Sequence, residues 1–99
     1  MPKETSLEDL RREIKETTLE IYHLCGKRLL LSKKIAETKA REGIPIENLK
    51  VEEELRIEVL NVCDTFDLDK SFCIKLLKFL LEESKRVQKN IQKSEKKGT

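Results

Sequence analysis

"YHLCGKRLLLSKKIAETK", Tyr22 to Lys39, holds no proline and one glycine, and its apolar residues recur at steps of three and four. That spacing marks one face of a helix packed against other helices. Extended in both directions, the seam runs Leu7, Leu10, Ile14, Thr17, Ile21, Leu24, Arg28, Leu31, Ile35 and Thr38. Gly26 costs only about 1 kcal/mol relative to alanine, so a single unbroken helix is the simplest reading. At ~1.5 Å per residue it spans roughly 50 Å, longer than a small globule is wide. The seam places Arg28, a charge, where a core is expected.

Working outward, Ser6 with Asp9 three residues later resembles a capping box, and Gly43 and Pro45 in "EGIPIEN" are breakers. Helix 1 is therefore expected at about 7–41. Asn48 is a good N-cap for helix 2, about 49–64. The turn "TFDLD" follows, with Asp67 or Asp69 capping helix 3 at about 69–93, and 94–99 is expected as a disordered tail. The expected architecture is all-α, one domain over 1–99 with three helices per chain.

Charged residues make up 40% and aromatics 4% of 99 residues, a balance that favours long helices over sheet. A three-helix layer of this length buries little apolar surface, which oligomerisation would remedy. Lys plus Arg exceed Asp plus Glu by only 21 to 19, so nucleic acid is not an expected partner. No apolar run approaches the ~20 residues that span a bilayer, and the polar opening "MPKETSLEDLRRE" does not read as a signal peptide, so a membrane is not expected and a cytoplasmic location is. Cys25, Cys63 and Cys73 lack metal-type spacing and read as reduced core residues. His23 reads as a surface residue.

Each helix turns a polar group toward the core. Ser84 interrupts the helix 3 seam of Cys73, Leu77, Leu80, Val87 and Ile91, with Gln88 one turn further on. Glu52 sits in the helix 2 series Asn48, Leu55, Val59, Val62. Taken singly these have ordinary explanations: Arg28 snorkels, Glu52 favours a helix N-terminus, Ser84 bonds the carbonyl of residue 80, and Gln88 lies at the surface. Gathered into one small bundle, they pair with one another or surround a polar ligand. Lys39 follows Arg28 by eleven residues, ~1100° of rotation, so the two share a face roughly 16 Å apart and suit an anion between them, a dicarboxylate being a natural guest.

These residues, Arg11, Arg28, Lys39, "GIPIEN" with Glu52, then Ser84 and Gln88, resemble the all-helical chorismate mutases from Leu7 to about Ile91. The resemblance implies an intertwined homodimer of three-helix protomers that converts chorismate to prephenate without cofactor or metal. It implies that Lys39 and Gln88 donate to the ether oxygen as the catalytic residues. Arg11 and Arg28 would bind substrate carboxylates with Ser84 assisting, and Glu52 would accept from the substrate hydroxyl. Asn48 and Val51 stand where the family usually has an acidic residue and an arginine, which leaves Asn48 as a substrate-binding candidate and Lys50 as a candidate replacement cation. A pericyclic reaction needs no nucleophile, only a compact conformer and stabilised charge, and no triad or metal cluster is legible.

Arg11 lies 17 residues before Arg28, about 100° around the helix and roughly 25 Å along it, so one substrate cannot touch both on one straight helix. With the long helices of two protomers antiparallel, as the resemblance also implies, Arg11 enters the partner's site. The alternatives are an isochorismate pyruvate lyase on the same scaffold and a non-enzymatic helical dimerisation module.

Overall fold

The computed structural model describes residues 6–97, the side chains of 95–97 excepted. Three helices follow in order, α1 Leu7–Glu42, α2 Leu49–Thr65 and α3 Lys70–Lys97. Ser6 accepts from the Asp9 N–H at 3.1 Å and starts α1. Gly43, left-handed at φ 67°, ends it, with the Ile44 N–H returning to the Lys39 carbonyl at 2.9 Å. The Gly43 N–H is directed at the same Lys39 carbonyl, a Schellman-type cap that glycine adopts without Cβ strain.

The same device recurs at the end of α2, where Asp67 takes φ 51° and the Leu68 N–H bonds the Cys63 carbonyl at 2.9 Å. Asp67 is thereby spent on the turn, and Asp69 caps α3 by accepting from the Phe72 N–H at 2.9 Å. Asn48 caps α2, its Oδ1 accepting from Val51 N–H at 3.2 Å. The expected tail is corrected: 94–97 continue α3, because "KSEKK" holds no breaker before Gly98. Residues 98 and 99 lie outside the described residues.

Helix α3 packs against both α1 and α2 and is their common partner. Its seam Cys73, Leu77, Ser84 and Val87 is buried as the periodicity requires. The core is thin, Ala36, Cys63, Cys73, Leu77 and Val87 being its buried apolar members. Extents of 67 × 27 × 18 Å give a radius of gyration of 18.3 Å, against about 13 Å for a compact chain of this length.

The long seam of α1 requires a correction. Within the protomer α1 buries Ser32 and Ala36 against α3, whereas the seam residues lie open, Ile14 at 69% and Leu24 at 64%. Arg28 alone of that series is half-buried. Every residue from Leu7 to Leu24 is exposed, His23 is exposed, and Cys25 is half-buried rather than core. Helix α1 thus presents two faces, one used inside the protomer and one left apolar and open. Among the described residues, no helix is long and apolar enough to cross a membrane.

Candidate active site

Between the C-terminal half of α1, the start of α2 and the middle of α3 lies a cavity of about 320 Å³. Ligand sites commonly hold about 300–1,000 Å³, so a small organic acid fits. Arg28, Lys39, Asn48, Glu52, Ser84 and Gln88 all line it.

Arg28 reaches across to α3, where its Nη1 donates to the Leu80 carbonyl at 2.9 Å and to Ser84 Oγ. Ser32, one turn after Arg28, donates to the same Ser84 Oγ at 3.0 Å. Ser84 Oγ thus meets both Arg28 and Ser32 beside the cavity. The guanidinium has five N–H groups and is fixed through one nitrogen, leaving the rest of its fork for an anion.

Lys39 Nζ donates to the Ile46 carbonyl at 2.6 Å, which ties the interhelical connection to α1 beside the cavity. Glu52 is half-buried and pairs with Lys85 at 2.7 Å. Lys85 also holds Glu47 at 3.0 Å. Hydrogen bonds to Glu52 and then Glu47 push the Lys85 ammonium above its ordinary pKa. Gln88 is only 7% exposed, buried rather than at the surface, and its Oε1 is enclosed with no hydrogen-bond partner. An orphaned buried acceptor is uncommon in folded proteins.

Arg11 is not brought to this cavity; it lies on the exposed N-terminal half of α1. Lys50 is exposed and absent from the lining, and the cation beside Glu52 is Lys85 instead. Lys85 and Ser32 escaped the sequence reading. Ser32 follows Arg28 by four, and Lys85 lies between Leu81 and Gln88 at helical spacing, but neither breaks an apolar seam and so neither stood out. Val51 forms part of the wall. Among the described residues, no three His, Cys, Asp or Glu side chains gather closely enough to hold a metal ion.

The sequence matches the family described as chorismate mutase type II over residues 10–89. The chain belongs to the type II chorismate mutases. It is 31% identical over 83 residues to a chorismate mutase of Methanocaldococcus jannaschii, covering 84% of each chain. It is 30% identical over 91 residues to a bifunctional chorismate mutase/prephenate dehydratase of Buchnera aphidicola subsp. Schizaphis graminum, covering 92% of this chain and 24% of that one. No solved structure gives a significant match. Membership of the type II chorismate mutases agrees with the all-α fold of three helices. The stretch matched spans every polar residue of the cavity, from Arg28 to Gln88.

Proposed function

We propose that this chain converts chorismate to prephenate, a step of aromatic amino-acid biosynthesis in the cytoplasm, in a site completed by a second copy of itself. The observation that carries the reading is the convergence of Arg28, Lys39, Glu52, Ser84 and Gln88, from three helices, on one cavity.

The reaction breaks an ether C–O bond while a C–C bond forms within the same molecule, so the protein supplies shape and charge rather than a reacting group. Arg28, steadied by Leu80 and Ser84, holds one substrate carboxylate and folds the enolpyruvyl arm over the ring. Lys39 and the Gln88 amide donate to the ether oxygen as negative charge grows there; a preorganised donor of this kind is typically worth ~2.7 to 4 kcal/mol. Glu52 accepts from the substrate hydroxyl, and Asn48 lies at the α2 edge of the cavity.

Two features support the homodimer. The apolar seam of α1 is open in the protomer, and Arg11 stands on that half of the helix, too far along it to serve its own site. A partner α1 laid antiparallel covers the seam and carries its Arg11 into this cavity.

The test is direct: follow loss of chorismate by ultraviolet absorbance and identify the product. Prephenate is the expected product. Unchanged chorismate rejects the reading.

A further inference from the structure

Three cations line the cavity, Arg28, Lys39 and Lys85, against one carboxylate, Glu52, and three minus one leaves a net charge of +2. A dicarboxylate carries −2. Lys85 supplies one of these three charges within the protomer, before Arg11 of the partner subunit is added.

Its surroundings suit that task. Lys85 lies on the α3 face that also presents Leu81 and Gln88 to the cavity, and its side chain is 31% exposed. It bridges two unequal carboxylates: Glu52 at 2.7 Å, 19% exposed and within the lining, and Glu47 at 3.0 Å, 61% exposed and outside it. A solvated ion pair such as Lys85–Glu47 contributes little, so an incoming carboxylate displaces Glu47 readily. The buried Glu52 partner stays and keeps the ammonium aimed. An ammonium has three N–H groups, enough to hold Glu52 and a ligand together.

We propose that Lys85 is a substrate-binding residue: its ammonium, aimed by Glu52, takes one carboxylate of a dianionic substrate and gives up Glu47 in exchange. This rests on the mutase reading above. Glu47 is then a built-in competitor for the substrate's own cation, and its loss should tighten binding.

The experiment compares wild type with Lys85→Met, Lys85→Arg and Glu47→Gln in the full chain, measuring kcat and KM for chorismate, with helical circular dichroism as the folding control. Lys85→Met is expected to raise KM about tenfold or more, the scale of a lost charged hydrogen bond, and to lower kcat by less. Lys85→Arg restores most of the loss, and Glu47→Gln lowers KM at unchanged kcat. A purely structural Lys85–Glu47 bridge would instead raise KM, or leave it unmoved, in Glu47→Gln. That result overturns the proposal, and so does an unchanged KM in Lys85→Met. Should Lys85→Met fail to fold, the Lys85→Arg and Glu47→Gln results still decide it. A wild-type chain that leaves chorismate unchanged removes the mutase reading and this proposal together; wild-type turnover with unmoved KM values removes the proposal alone.

Discussion

Gln88→Met should make the protein more stable and a far poorer catalyst. Gln88 is 7% exposed and its Oε1 has neither solvent nor a hydrogen-bond partner. Burying such an acceptor unpaired costs about 1–3 kcal/mol, which a methionine of similar length and flexibility removes without opening a cavity. A gain of about 1 kcal/mol raises Tm by roughly 4–8 °C in a chain of this size. Losing the proposed donor to the ether oxygen should cost ~2.7 to 4 kcal/mol in the transition state, a fall in kcat of about 10²–10³-fold. Urea denaturation at fixed protomer concentration reads the first quantity, and chorismate consumption reads the second. The two must move in opposite directions. A variant that is less stable than wild type while keeping its rate within a factor of about three would refute the reasoning, for Gln88 would then be an ordinary packing residue.

Gln88→Glu should confine turnover to acidic pH, where the carboxyl keeps a proton to donate; equal activity at pH 5 and pH 8 would contradict the donor role. Arg11→Ala and Arg28→Ala chains, unfolded and refolded together, should regain about a quarter of wild-type activity, because half the dimers are mixed and each has one intact site; no gain, with mixed dimers demonstrated, sinks the shared site. The neighbouring Cys73 side chain first, and then burial, push the Cys63 thiol up to about 11. A raised thiol pKa means that the unfolded chain loses its proton first, so stability should fall as pH rises from about 9 to 11, and Cys63→Ala should flatten that slope in alkaline denaturation curves.

Arg28 shows how far a sequence can be read. A charge in an apolar seam is a local contradiction, and the structure resolves it as a guanidinium fastened to the α3 backbone at Leu80 and to Ser84. Ser84 was legible for the same reason, as the one polar member of its seam. Periodicity marks the seam around Arg28 as a face suited to packing, and does not say whether the same chain covers it. Burial inside the protomer instead follows Ser32 and Ala36, two small residues that let α1 and α3 approach. Lys85 was invisible on different grounds: a lysine beside a seam is the commonest thing a surface helix carries, and only the folded chain brings Glu47 and Glu52 to it.

The exposed first half of α1 has a further consequence. Every residue from Leu7 to Leu24 is exposed within its protomer, and helical stability in proteins comes mostly from packing of an apolar face. Their backbone amides are guarded only by the hydrogen bonds of the helix itself, with capping at Ser6 as the single terminal anchor. In the proposed homodimer, order in this segment becomes a property of the assembly, and hydrogen exchange there should gauge protein concentration: fast where chains are dilute and alone, slow where a neighbour lies along the seam.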